Sequence, residues 1–200
     1  DTIGEQFWTH LGHIAAADPK AIGFDKNLAA VAPSDCWRIE LDKWEKVIDE
    51  DELCPQPVGR AAIRWLRRNV PTPASRISVV HGDYRTGNFM FNGAGKITAI
   101  LDWEMCHLGD PLEDVAWAAD PLWAFNNPER PGGMIARDKA LAIWEKASGM
   151  KVDEKRLQWW EIFNSLKGLA IWISAGKEYE SGASREPILA FSSWYCTDVH

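Results

Sequence analysis

A histidine, two acids and an amide stand close together in mid-chain. They lie in the run His81-Gly82-Asp83-Tyr84-Arg85-Thr86-Gly87-Asn88 and, a short interval later, in Ile100-Leu101-Asp102-Trp103-Glu104. Carboxylate and amide oxygens are hard donors of the kind magnesium takes. A further carboxylate beside them can orient a hydroxyl and accept its proton. Phosphoryl transfer from a nucleotide asks for that combination: a carboxylate near the attacking hydroxyl, oxygen ligands for magnesium, and rigid placement of all of them. Taken singly, Asp83 and Asn88 read as ordinary turn residues, and only their joint spacing with Asp102 points to a site. Gly82 and Gly87 allow the backbone between them to turn tightly.

Strand ends are what could hold these side chains. Ile77–Val80, Phe89–Phe91 and Ile97–Leu101 are short β-prone runs, with Asn92-Gly93-Ala94-Gly95 as turn material between the last two. Asp83 then lies in the loop after the first strand, Asn88 closes that loop and Asp102 ends the third strand, so a hairpin can bring all three to one point. On either side the apolar period is helical. Phe7, Leu11 and Ile14 repeat until Asp18-Pro19 stops them, and Trp37, Leu41, Trp44 and Ile48 form the stripe of a second helix that Ser34 can cap. A third helix, from Pro57 to Asn69, ends where the residue before Pro71 is pushed out of the helical region. Later helices are expected over Pro111–Ala119, Ile135–Ala147, Glu154–Tyr179 and Pro187–Val199. The pattern predicts a mainly helical α+β body in one compact unit, with no repeat or linker.

The spacing of His81, Asp83 and Asn88 equals that of the kinase catalytic loop H-R-D-x-x-x-x-N, and Asp102 falls where the magnesium-binding Asp of D-F-G would stand. Gly82 takes the place of the Arg, and Trp103-Glu104 that of Phe-Gly. In that form the segment resembles the aminoglycoside phosphotransferase (APH) family, kinase-like small-molecule phosphotransferases whose hallmark reads H-G-D-x-x-x-x-N followed by I-D-W or L-D-W. His107-Leu108-Gly109-Asp110-Pro111-Leu112-Glu113-Asp114-Val115-Ala116 is similar to the family's G-D-P-x-x-D-[LV]-A segment. Within the family, the motifs over residues 79 to 118 look most like the branch found with acyl-CoA dehydrogenases.

The resemblance implies a protein-kinase-like C-terminal lobe whose small β-hairpin insert carries the catalytic loop. It implies Asp83 as the catalytic carboxylate, Asn88 and Asp102 as the groups that hold Mg2+ against the phosphates of ATP, the co-substrate, and His81 as a support bonded to nearby backbone. Asp110 reads first as a helix N-cap, with Pro111 at the first helical position and Glu113 returning to the cap. Asp114 is a second supporting acid, placed where kinase-like folds brace the loop. Arg85 reads as a surface or ion-pair residue rather than a phosphate clamp. The implied activity is ATP-dependent transfer of the γ-phosphoryl group to a small-molecule hydroxyl, and the acyl-CoA-dehydrogenase branch favours a hydroxylated metabolite over an antibiotic as acceptor.

The remainder of the chain narrows the choice. Two hundred residues, 46% of them hydrophobic and 26% charged, have globular composition, and a net charge of −7 disfavours a nucleic-acid partner. Arg60, Arg64, Arg67 and Arg68 fit a solvated helix face. No run reaches the roughly 18 apolar residues of a membrane span, and Cys36, Cys54, Cys106 and Cys196 have no metal-binding spacing, so a cytoplasmic protein with reduced thiols is expected. Gly93-Ala94-Gly95-Lys96-Ile97 is a turn and not a phosphate loop, because Met90 and Ile97 stand where Gly and Ser or Thr are required. Trp37, Trp44, Trp65, Trp144 and Trp172 fall on apolar helix faces and read as core, while Trp123 and Phe125 are candidate walls of a substrate pocket. No G-x-G-x-x-G and no strand-borne Lys precedes His81. Residues 1–200 therefore read as a single C-terminal lobe without its N-terminal nucleotide-binding lobe, inactive alone. Two other classes remain open: a non-catalytic interaction module built on a kinase lobe, and a metal-dependent hydrolase using His81, Asp83, Asp102 and His107 with His10 or His13. The hydrolase leaves Asn88 unexplained, and a module needs none of the three polar residues.

Overall fold

Apolar residues at helical spacing produce the helices that the sequence leads one to expect. The computed structural model describes residues 2–125 and 127–197. In chain order these form α1 (Thr2–Ala16), α2 (Cys36–Asp51), α3 (Pro57–Arg68), β1 (Ser78–Val80), β2 (Phe89–Phe91), β3 (Ile97–Ile100), β4 (His107–Gly109), α4 (Leu112–Ala119), α5 (Arg137–Ser148), α6 (Glu154–Glu180) and α7 (Pro187–Thr197). Positions 198–199 of the last expected helix lie outside the described residues. The body is mainly helical. No helix among the described residues is long and apolar enough to cross a membrane.

The strands form two antiparallel ribbons, β1–β4 and β2–β3. In the second, Phe89 faces Ile100, and an irregularity follows between Met90 and Phe91. Asn92 shapes its turn: its Oδ1 accepts from the amides of Ala94 (3.1 Å) and Lys96 (3.0 Å), and Gly95 supplies a φ of +72°. The first ribbon holds a strand that the sequence does not announce. His107-Leu108-Gly109 has neither β-branched residues nor alternation, and it is strand only because β1 pairs with it, Ser78 opposite Gly109 and Val80 opposite His107.

The chain divides into two compact units, where the absence of linkers reads as one. The first contains the residues up to Cys36 and Thr72–Glu161, and the second Trp37–Pro71 and the residues from Ile162 onward. In the first unit α1 is the organiser. Tyr84 donates its hydroxyl proton to the Phe7 carbonyl (2.7 Å), and Ser78 does the same to that of Ala15 (2.8 Å). The Gln6 amide donates to Gly95 O (2.9 Å) and accepts from Ile97 N (3.0 Å). One helix thus ties down both ribbons and the loop between them. Around it Phe7, Trp8, Leu11, Val80, Tyr84, Trp117, Trp144 and Trp160 are buried, each such side chain adding about 1.5–3 kcal/mol of hydrophobic stabilisation.

In the second unit the core side chains are Leu41, Trp44, Ile48, Ile63, Leu66, Phe163 and Leu166. Gly59 admits the Leu169 side chain, whose Cδ2 would lie 2.9 Å from an added Cβ. The arginines of α3 are paired in part with acids: Arg60 with Glu52 (2.9 Å) and Asp49, Arg67 with Asp42 (2.7 Å) and Glu45. Of the tryptophans read as core, Trp44 and Trp144 are buried, whereas Trp65 is 40% exposed. Ile63 and Leu66 set the buried face of α3, and Trp65, about 100° round the helix from Leu66, falls off it.

Close packing of α1 on α5 depends on Gly12. A Cβ there would stand 2.5 Å from Ala147 Cβ and 3.0 Å from the backbone of Trp144 and Ser148. Gly12→Ala is therefore expected to destabilise the protein by about 1–3 kcal/mol, even though alanine is the better helix former, and the loss is read as a lower urea midpoint. An unchanged midpoint would contradict this packing.

Candidate active site

β1 leads straight into the segment His81–Asn88, and backbone geometry there is set from below. Asp114, buried on α4, accepts from the amide of His81 at 2.6 Å with one carboxylate oxygen and from that of Gly82 at 2.9 Å with the other. Burial raises the Asp114 carboxyl above its ordinary value, against the pull of these two amides. Gly82 has a φ of +84°, and a Cβ on it would meet Met105 O at 2.6 Å, so conformation and space both call for glycine. The His81 ring is fully buried. Its Nδ1 accepts from Asp83 N (3.1 Å), which puts the proton on Nε2, the donor to Leu101 O (2.9 Å). That ring, 4.5 Å from Trp103 by centroid, links the start of the loop to the end of the β2–β3 hairpin.

Asp83 and Asn88 meet directly. The Asn88 Nδ2 donates to the Asp83 carbonyl at 2.9 Å and to its Oδ2 at 2.7 Å. Trp117 Nε1 donates to Oδ1 at 2.8 Å, and Arg85 Nε lies 3.1 Å from both carboxylate oxygens. Asp102 is placed by register: Leu101 N donates to Asn88 O (2.8 Å), so Asp102 stands one residue past the cross-strand partner of Asn88. It is exposed, in a left-handed conformation (φ 67°), with no side-chain hydrogen bond to Asp83 or Asn88 among the described residues. The Asn88 amide protons serve Asp83, which leaves its Oδ1 and the Asp102 carboxylate as oxygen donors at adjoining positions of the hairpin end. Two such oxygens suit a hard divalent cation.

Asp110 is 2% exposed, and its carboxylate accepts from Leu112 N (3.0 Å) and Trp160 Nε1 (3.1 Å) with Arg156 Nε at 3.2 Å. It bonds the amide of Leu112, the first residue of α4, but the cap position is held by Pro111, which was expected as the first helical residue. Burial raises its pKa while Arg156 opposes that rise. Glu113 does not return to the cap. Its carboxylate lies 3.1 Å from His107 Nε2, because β4 brings that histidine within reach. Among the described residues His81, Asp83, Asp102 and His107 form no metal-ligating cluster, and both ring nitrogens of His81 are engaged by backbone. The set that the hydrolase alternative names is therefore not assembled among the described residues. Burial also pushes the Cys36 thiol up to about 12 and the Cys106 thiol to about 11, so neither is a nucleophile near neutrality.

Of the residues that touch Asp83, Trp117 was not assigned from the sequence, and Arg85 was assigned without its partner. Trp117 follows Asp114 by three positions on α4 and so shares its face, a spacing that could have found it. Arg85 is the expected ion-pair residue, but its partner is Asp83 itself. Trp123 lies beside the site through Arg85, whose guanidinium carbon is 4.9 Å from the ring centroid, while Phe125 is exposed with φ 48°.

Curated relatives include acyl-CoA dehydrogenase family member 11 of Gallus gallus (31% identity over 87 residues, 43% of this chain and 11% of that protein) and of Pongo abelii (34% over 137 residues, 64% and 17%). Family member 10 of Mus musculus is 35% identical over 80 residues, 40% of this chain and 7% of that protein. The chain therefore spans only a small part of these relatives. Among solved structures, a Ralstonia eutropha JMP134 protein assigned as an aminoglycoside phosphotransferase superposes with a TM-score of 0.82 at 20% identity, covering 98% of this chain and 61% of that one. A macrolide 2'-phosphotransferase type I gives 0.67 at 16% identity, with 98% and 59% covered. Spectinomycin phosphotransferase in complex with ADP and spectinomycin gives 0.54 at 16% identity, with 98% and 61% covered. At these identities the likeness is one of fold. Residues 1–150 of the 200 match the model of the phosphotransferase enzyme family (APH), and the chain belongs to that family.

Proposed function

We propose that this chain is the C-terminal lobe of an ATP-dependent phosphotransferase that moves the γ-phosphoryl group to a small-molecule hydroxyl. The observation that supports the reading is the direct contact of Asn88 with Asp83, in a loop that runs into the hairpin on which Asp102 stands one residue past the cross-strand partner of Asn88. His81–Asn88 is then the catalytic loop, delivered into the β2–β3 hairpin. Asp83 orients the acceptor hydroxyl and takes its proton. Asn88 fixes that carboxylate with its amide protons and, with Asp102, would hold magnesium, which when bound neutralises charge on the nucleotide phosphates. His81, Asp110 and Asp114 are positioning residues. Asp83 needs no raised basicity, because in a loose transition state the hydroxyl proton leaves late and placement dominates the barrier.

Nucleotide use is supported by the ADP of the spectinomycin phosphotransferase complex, and a hydroxylated metabolite as acceptor by the acyl-CoA dehydrogenase relatives. The neighbours extend beyond the region this chain matches, which supports reading it as one lobe. Cytoplasmic residence, where ATP is abundant and the free Cys36, Cys54 and Cys106 stay reduced, goes with this function.

In the intact protein, Asp83→Asn is expected to lower kcat by about 10²–10⁴-fold while nucleotide affinity stays within about threefold, and wild-type turnover by this variant would refute the reading. By calorimetry, the 200-residue chain alone should bind magnesium-ATP no tighter than about millimolar; micromolar affinity contradicts the single-lobe assignment. Asp114→Asn leaves one loop amide without its acceptor, at a cost of about 1–3 kcal/mol. The wild-type group, raised above its ordinary value of 3.8, contributes stability that is present below that pH and lost as pH rises through its folded value. The asparagine does not titrate, so the deficit of the variant should be larger near pH 4 than near pH 7 in parallel urea unfolding; a deficit that grows toward neutrality contradicts the raised pKa.

A further inference from the structure

Every acceptor position on the Asp83 carboxylate is taken. Two carboxylate oxygens offer about four lone-pair sites. Oδ1 accepts from Trp117 Nε1 at 2.8 Å and from Arg85 Nε at 3.1 Å, and Oδ2 accepts from Asn88 Nδ2 at 2.7 Å and from the same Arg85 Nε at 3.1 Å. A hydroxyl that is to donate its proton to Asp83 has no open site, so one donor has to leave first.

The three donors are unequal. Trp117 and Asn88 are buried, and each gives one short bond to one oxygen. Arg85 divides a single N–H between two oxygens, and its side chain is 29% exposed. It is the donor that can withdraw. What holds it in place is a long bond from its Nη1 to Thr86 O (3.4 Å) and an aromatic contact: its guanidinium lies over Trp123, and the Trp123 ring meets Trp117 edge-on at 5.3 Å. Asp83, Arg85, Trp123 and Trp117 thus form a closed ring of contacts. Gly87 makes room for it, since a Cβ there would stand 3.0 Å from Arg85 Nη1. Trp123 in turn is carried by the 3₁₀ turn Pro121–Ala124, whose first amide, Leu122 N, is bonded by Asp120 at 2.8 Å.

We infer that Arg85 is a latch on Asp83, clamped over Trp123, which must be displaced before an acceptor hydroxyl can engage the carboxylate. The inference rests on the phosphotransferase reading above. While latched, the protein withholds Asp83 from water. ATP hydrolysis, in which a water oxygen bonds to the γ-phosphorus, its proton passes to Asp83 and the bond to ADP breaks, is therefore suppressed until an acceptor displaces Arg85. Arg85 is a positioning residue, acting through Asp83.

The test measures ADP release from magnesium-ATP by the intact protein with water as the sole acceptor. Arg85→Met keeps the unbranched stem and removes the donors, and should raise hydrolysis about tenfold, the gain when an open fraction near one-tenth becomes the whole population. Trp123→Leu loosens the clamp and should give a smaller rise. Adding Asp83→Asn to Arg85→Met should abolish the gain. Unchanged or slower hydrolysis by Arg85→Met, or a rise that survives Asp83→Asn, overturns the latch. A wild-type protein that turns over no nucleotide with any acceptor overturns the phosphotransferase reading instead. The latch then stands or falls on the Arg85 Nε–H resonance of the 200-residue chain: it should move on Asp83→Asn and on Trp123→Leu, and a resonance that stays put rules the latch out.

Discussion

A carboxylate sealed from water, Asp114, grips two successive backbone amides, and the geometry of the candidate site follows from that grip. By holding His81 N and Gly82 N it fixes the direction in which the chain leaves β1. With that direction set, the His81 ring reaches Leu101 on the far side of the hairpin, and Asp83 and Asn88 close upon each other five residues apart. An exposed carboxylate could not do this, because water would compete for the same amides. Buried, each unmade bond would leave a desolvated group without a partner, and that penalty is what makes the arrangement specific.

The first turn of α4 gathers three buried acids, Asp110 just before it and Glu113 and Asp114 within it. Like charges so close would be costly if they shared an environment. Each has instead its own answer: Arg156 and the Trp160 indole for Asp110, the His107 ring for Glu113, and two loop amides for Asp114. The amino end of a helix is also the end that favours negative charge. Among the described residues nothing comparable is done for Asp102, which sits exposed at the hairpin end in a conformation most side chains avoid.

Much of the candidate site was legible from residue types and spacing. His81, Asp83, Asn88 and Asp102 could be picked out because such side chains at strand ends are otherwise hard to explain together, and the helices because apolar residues repeat with the helical period. Less legible were features that depend on a partner far away in the chain. β4 has no strand signature of its own and exists through β1. Glu113, read as half of a capping box, turns to the histidine that β4 presents. Trp65 has the composition of a core residue and the position of a surface one.

What the sequence determined alone is chemical and local: which residues can donate oxygen to a cation or receive a proton, where helices and turns run, and, through the spacing of a few residues, the family. Tertiary structure decided who bonds to whom. That Arg85 lies on Asp83 and Trp123 at once, that Trp117 donates its indole proton to the same carboxylate, and that His81 spans to Leu101 are facts of distance between residues up to tens of positions apart. Periodicity encodes which face of an element is apolar. It does not encode which polar atom will stand within three ångströms of another once those faces are buried, because that depends on how all the elements pack at once.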